Sequence, residues 1–209
     1  MASGDLQIAY FAPFTYENHQ DLIAEAQEAV DLDGQPIAQV EVVAQSCDGR
    51  DVELVTLGSG PAKVWLIARQ HPGESMAEWY MKGEGHALSQ QQSPSDKLVA
   101  PAPGLLERLL NPRDAAARRL RELATIRLVP NMNPDGSRRG HLRTNAKGAN
   151  LNREWGNTGD YKAPTLERSP EVFMVLKKLR EVGCDVIVDV HGDEGLPHNF
   201  FGKWKGVVR

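Results

Sequence analysis

A chain of 209 residues with 41% hydrophobic and 25% charged residues has the make-up of one globular domain with a sizeable core. A mean hydropathy of -0.43, with no apolar run near the length of a bilayer span, argues against a membrane partner, and a net charge of -4 argues against a nucleic-acid partner. Two cysteines, Cys47 and Cys184, are too few for a disulfide framework, and with no signal-peptide pattern in MASGDLQIAYFAPF they read as reduced, buried thiols of a cytoplasmic protein.

Along the chain, Leu6 to Ala12 suits a strand. Thr15 is then placed to cap a helix whose apolar positions Leu22, Ile23, Ala26 and Val30 keep helical spacing. AQVEVVAQ and DVELVTLG alternate, and Asp48-Gly49 between them signals a hairpin. KVWLIAR is a more continuous apolar run, as an inner strand requires. A helix is expected from about Glu74 to His86, followed by a surface loop rich in Gln, Ser and Pro, LSQQQSPSDKLVAPAPG. Two short helices, Leu105 to Leu110 and Arg113 to Leu123, precede a strand at TIRLVPN.

Asn131 to Pro164 has little periodicity and reads as a long loop, a feature that in a domain of this size is functional or disordered. Within it Arg138, Arg139, Arg143, Lys147 and Arg153 occur without an acid, which fits either a solvated loop or an anion site. Ser169-Pro170-Glu171 opens a helix with an apolar face of Val172, Phe173, Val175, Leu176, Leu179 and Val182, closed by Gly183. CDVIVDVH is expected to be a buried strand. Alternating strands and helices predict an α/β fold with a mixed, largely parallel central sheet flanked by helices. Ligands of such sheets bind beyond the carboxyl ends of the strands. His71, Asn131 and His191 each fall just past a strand end, so three segments should meet on one rim.

His71-Pro72-Gly73-Glu74 sets an imidazole and a carboxylate three residues apart, with Pro72 and Gly73 bending the chain between them. Catalytic zinc takes three such protein ligands and a water, and His191 is the best candidate for the third. A single histidine is more often structural; two with a glutamate at equivalent strand ends shift the balance to metal. His19 and His86, on helices and expected at the surface, and His141 and His198 have no partner at ligand spacing. Asn-Pro-Asp-Gly at 133–136 is by itself a turn. Arg143 suits an oxyanion, and Asn152 beside Arg153 suits a carboxylate clamp.

HPGE, NPDG, LRTN, ANLNREW and DVHGDE, in this order, resemble the zinc carboxypeptidases, and most of all their cytosolic, deglutamylase-like branch, from about Tyr10 to Phe200. The resemblance implies one incomplete carboxypeptidase-like catalytic domain over residues 1–209, with an altered or truncated tail at about 201–209. It implies that His71, Glu74 and His191 bind Zn²⁺, the ligand set for which carboxypeptidase A is the type case. Arg143 would stabilise the tetrahedral oxyanion and, with Asn152 and Arg153, bind the substrate; Asn152 and Arg153 hold its terminal carboxylate. Asn150 would accept a hydrogen bond from His71, where pancreatic-type relatives carry an aspartate. Asp189, on the His191 side of its strand by the two-residue period, suits equally a second outer partner or a structural hydrogen-bonding role.

The implied substrates are peptide or protein C-terminal tails, acidic ones included. In the family a general-base glutamate and a capping tyrosine lie downstream of the third ligand, whereas this chain ends at Arg209, eighteen residues past His191, and Glu194 does not match the base. The expectation is a chain with ligands and clamp but little turnover. Two other readings stay open: a zinc amidohydrolase of the desuccinylase or aspartoacylase type acting on N-acyl amino acids, and a metal-binding, non-catalytic fragment.

Overall fold

Thr15 opens the first regular element as its side chain and that of Asn18 form a reciprocal capping box, so that α1 runs Tyr16–Glu28 and buries Leu22, Ile23 and Ala26. The computed structural model describes residues 9–83, 103–157, 159–193 and 195. The first part of the Leu6 to Ala12 strand, most of the Gln-rich loop, His86, Glu194, His198 and the tail at 201–209 lie outside the described residues. Residues 9–12 are irregular, so the expected strand is not found where it can be checked.

The hairpin forms as its alternation and Asp48-Gly49 predict. β1 (Ala38–Gln45) pairs antiparallel with β2 (Asp51–Leu57), and Gly49 takes the positive φ of 79° that the turn needs. β3 (Ala62–Ala68) leads to α2 (Met76–Lys82), α3 (Leu105–Leu110), α4 (Ala115–Leu123) and β4 (Ala124–Val129). A short helix α5 (Pro134–Arg139), a 3-10 turn at Leu151–Arg153, α6 (Pro170–Val182) and β5 (Val186–Val190) complete the described elements. Among the described residues the sheet is five-stranded, in the order β1-β2-β4-β3-β5. It is mixed: β1/β2 and β2/β4 are antiparallel, β4/β3 and β3/β5 parallel.

Strand alternation divides the core between the two faces of the sheet. Val55, Leu57, Leu66, Ala68, Ile126 and Leu128 join a cluster that includes residues of α1, α2, α3 and α4. Val52, Leu54, Trp65 and Ile67 join Val172, Val175 and Leu179 of α6 in a second cluster. Helices therefore cover both faces, and the parallel strands β3, β4 and β5 point their carboxyl ends to one rim.

Three expectations are corrected. NPDG does not stop at a turn: Asn133 caps α5 by accepting from the Gly136 amide, with Pro134 in the first turn. α2 starts at Met76, since Glu74 is held in a turn by its amide bond to the His71 carbonyl (3.1 Å). β5 is not a buried strand. It lies at the sheet edge, with Val186 51% and Val188 39% exposed.

At the start of α6, Glu171 is fully buried (0% exposed). Burial pushes its carboxyl up to about 7, and the nearby Asp135 charge adds to this; backbone amides and Asn145 offset only part. A carboxyl whose pKa is raised on folding supports the fold fully below its unfolded value near 4.5 and loses that support as pH rises through about 7. For the metal-free chain, urea denaturation at a series of pH values should therefore show stability falling from pH 5 to pH 8 by up to a few kcal/mol. Glu171→Gln should flatten that slope.

Candidate metal centre

β3 ends at Ala68, and the next residue carries the backbone outlier of the chain. Arg69 has φ of 54°, the one positive φ at a non-glycine among the described residues. Such a conformation costs an L residue about 1–2 kcal/mol. It persists because the buried Arg69 side chain is held by three bonds. Its Nε donates to the Pro72 carbonyl (3.0 Å), its Nη1 donates to the Phe14 carbonyl (2.9 Å), and Nη1 pairs with Glu78. The bond to Pro72 closes the chain on itself across the bend that places His71.

Glu78, on α2, is the hub beneath this bend. It is fully buried and also receives His19 Nδ1 (2.7 Å) and Asn131 Nδ2 (3.0 Å). The second nitrogen of His19 meets Glu53 of β2 at 3.0 Å. Burial alone would lower the His19 pKa, but the two glutamates outweigh it and hold the ring up at about 9. His19 is thus an imidazolium at neutral pH, and two cations balance two carboxylates. The surface placement expected of His19 is wrong: it is 1% exposed. Asn131 does lie past a strand end, but it turns to Glu78 and Ser137 rather than to His71, Glu74 or His191.

The loop is fixed from above as well. The Gly73 amide donates to the Leu142 carbonyl (3.0 Å), and a Cβ on Gly73 would lie 2.8 Å from that oxygen. A Cβ on Gly136 would come within 2.3 Å of Pro72 Cγ, so α5 abuts the bend only because this residue is glycine.

What this scaffold brings together is His71, Glu74 and His191, with one ligand atom of each within 4.8 Å of the others. His71 Nδ1 faces Glu74 Oε1 at 2.6 Å, and His191 Nδ1 faces Glu74 Oε2 at 2.8 Å. The imidazoles lie 4.8 Å apart between centroids. Each ring has its outer nitrogen engaged. His71 Nε2 meets the Asn150 amide oxygen (3.1 Å), and His191 Nε2 meets the Asp189 carboxylate (2.7 Å). Both far-side partners can accept from Nε2, which leaves Nδ1 of each ring as the atom that faces Glu74 and would coordinate a cation in place of the proton shared with that carboxylate. Two such imidazoles and a carboxylate form the His₂Glu donor set of catalytic zinc, and the fit is met by these atoms.

Proton affinities reflect the same crowding. Burial would raise Glu74, but His191, His71 and the Gly192 amide (2.9 Å) hold it down at about 2. Burial would lower His191, but Asp189 and Glu74 raise it to about 9.

Two further residues belong to the support of His191: Gln70, which carries no recognisable sequence signal, and Trp155, whose place at the end of ANLNREW did not reveal this part. Gln70 Nε2 donates to Asp189 Oδ2 (2.7 Å), and Trp155 Nε1 donates to Gln70 Oε1 (2.7 Å). Asn150 also accepts from the Asn152 amide (3.1 Å), which ties the 3-10 turn to the ligand shell. The Asn152 side chain sits 3.2 Å from His191 Nε2. Arg153 donates to the Asn152 carbonyl (3.0 Å) and lies over Tyr161. Arg143 is exposed and follows Leu142, the residue bonded to Gly73. Neither Arg143 nor Arg153 forms an ion pair among the described residues, so both guanidinium groups are available to an anion. His141 meets the Thr144 carbonyl (3.1 Å) and is not a ligand.

The sequence model of the zinc carboxypeptidase family matches residues 100–202. The chain is 45% identical to the uncharacterized protein ZMO1242 of Zymomonas mobilis, over 95% of this chain and 44% of that one. It is 29% identical to human cytosolic carboxypeptidase 4, over 88% of this chain and 16% of that one. Among solved structures it superposes on a metallo-carboxypeptidase of Pseudomonas aeruginosa with a TM-score of 0.69 and 41% identity, covering 90% of this chain and 42% of that one. The chain therefore spans less than half the length of these relatives.

Glu78→Ala would leave Arg69 and His19 as buried cations without their shared carboxylate. Breaking a buried pair in this way costs about 3–5 kcal/mol. The urea midpoint should fall accordingly, and an unchanged midpoint would remove Glu78 from its place as hub.

Proposed function

We propose that this chain, a zinc metallocarboxypeptidase by resemblance, supplies the metal ligands and carboxylate clamp of an exopeptidase site in the cytoplasm. The site would release C-terminal residues, glutamates among them, from peptides or protein tails. The observation that carries this reading is the convergence of His71 Nδ1, His191 Nδ1 and the Glu74 carboxylate, each ring oriented by an acceptor on its far side. Zinc bound there would supply Lewis-acid polarisation of the scissile carbonyl.

The remaining chemistry falls to the chain's own side chains. Arg153, with one Nη1 bond to the Asn152 carbonyl, keeps further N–H groups for a bidentate grip on a terminal carboxylate. The Asn152 amide beside it adds a neutral donor. Such recognition requires a free C-terminus, which restricts cleavage to the last residue. Arg143 would offer its charge where negative charge develops on the carbonyl oxygen. Arg138, Arg139 and Lys147 in the same stretch give the approach a positive bias that suits acidic tails; Arg139 is bound to Asp48, which tempers it. The Pseudomonas relative was solved with (2-guanidinoethylmercapto)succinic acid, a ligand with carboxylates that fits a clamp of this kind.

The two imidazoles are not equivalent. Asp189 is a carboxylate acceptor for His191, while Asn150 offers His71 only an amide oxygen. His71 is accordingly the less electron-rich ligand. Asn150→Ala should weaken zinc binding about 10–100-fold in competition with a chelator; equal affinity would deny Asn150 that part.

The clamp is tested without turnover, by calorimetry on the zinc-loaded chain. A short peptide ending in glutamate with a free C-terminal carboxylate should bind at least about tenfold tighter than its C-terminal amide, and Arg153→Met should erase the difference. Equal binding of acid and amide, or tighter binding of an N-acyl amino acid than of either peptide, would overturn the carboxypeptidase reading.

A further inference from the structure

A second group of potential ligands lies away from the His71–Glu74–His191 cluster, on different elements. Cys47 is in the β1–β2 turn, Asp135 is in the first turn of α5, and Glu171 is in the first turn of α6. One ligand atom of each lies within 4.8 Å of the others. Asp135 and Glu171 are both fully buried, and Cys47 is half-buried, which leaves the group an opening to solvent.

The charges here are not settled by the protein alone. Asp135 accepts from Ser46 Oγ (2.7 Å) and the Asp48 amide (2.8 Å) and pairs with Arg50 Nη1 (2.7 Å), so one cation answers that carboxylate. Glu171 has no ion-pair partner among the described residues. The Glu171 and Cys47 backbone amides lie near the carboxyl and its Oε2 takes a long bond from Asn145 (3.3 Å), but its Oε1, fully buried, has no hydrogen-bond partner. A buried carboxylate oxygen without a donor has to hold a proton or a cation. Besides its contact with Glu171, the Cys47 sulfur next to it makes two long contacts, to the Arg168 carbonyl (3.8 Å) and from Asn145 (3.6 Å).

We propose that Cys47, Asp135 and Glu171 form a second divalent-metal site, structural in kind, for a thiophilic cation of the zinc class. Thiolate and Glu171 carboxylate would together neutralise a divalent ion, with Asp135 shared between the ion and Arg50. One thiolate and two carboxylates bind zinc or cobalt in preference to magnesium or calcium, which take oxygen ligands alone. The bound ion would pin the hairpin turn to the starts of α5 and α6. Since α5 abuts Pro72, the site would brace the segment that packs on the metal loop.

The donor sets make the two sites distinguishable. The His71–Glu74–His191 site has no sulfur. Titrating the metal-free chain with Co²⁺ should give two bound equivalents and a thiolate-to-cobalt charge-transfer band in the near ultraviolet. Cys47→Ser should abolish the band and leave one equivalent, while Cys184→Ser should leave the band intact. Glu171→Gln, which keeps shape and loses charge, should also lose the second equivalent. X-ray absorption on the unmutated, cobalt-loaded chain should show a Co–S distance, a readout that needs no variant to fold. A single equivalent without a charge-transfer band or Co–S scattering would overturn the proposal and leave Glu171 with a proton. A band that survives Cys47→Ser would overturn it as well. Loss of the catalytic-type equivalent alone, in His71→Ala, would bear on the first site and leave this result unchanged.

Discussion

The bend that carries His71 and Glu74 depends on one buried ion pair, Arg69 with Glu78. The chain must turn sharply after β3 to aim His71 and Glu74 at a common point, and Arg69 absorbs that turn with φ of 54°. Nothing in the local sequence favours this conformation for an arginine. It is held because the guanidinium reaches the Pro72 carbonyl across the bend, the Phe14 carbonyl on the chain before α1, and Glu78 on α2. Strain at one residue is offset by bonds to three separate segments, as is common where a backbone has to serve a site.

The same carboxylate explains why a buried charge cluster is tolerable here. Two glutamates face one arginine and one histidine whose pKa is raised to about 9, so the group is neutral as a whole. Each member is also hydrogen-bonded, which is the condition under which buried charges cease to be a liability. α1, β2, α2 and the turn after β3 are thereby locked together beneath the ligands. Trp155, Gln70 and Asp189 do the equivalent for His191 from the other side.

How much of this was legible in the sequence differs by element. Thr15 and Asn18, Asp48-Gly49, Ser169-Pro170 and Gly183 are local signals, and each marks the boundary that the structure shows, though Ser169 gives its hydroxyl to Glu154 rather than to a cap. β5 misled because VIVDV reads as buried on composition alone; whether a strand is central or at an edge depends on pairing, not on its own residues. α5 was hidden because proline, aspartate and glycine are poor helix formers, and its start is stabilised by a cap and its close contact with Pro72. His19 was misplaced because a histidine in a helix carries no mark of the two glutamates, one 34 and one 59 residues away, that meet it.

The sequence by itself determined most element types, the α/β class and the three residues that converge, because periodicity, capping and the His-Pro-Gly-Glu spacing are properties of short stretches; α5 and the irregular residues 9–12 escaped it. The resemblance carried by HPGE, NPDG, LRTN, ANLNREW and DVHGDE added the chemistry proposed for them. Only the tertiary structure decided which nitrogen of each imidazole faces inward, since that follows from Asn150, 79 residues from His71, and from Asp189 beside His191. It alone joined Cys47, Asp135 and Glu171, and set Glu78 under the bend. These are contacts between distant segments, fixed by sheet order and helix packing rather than by any local pattern.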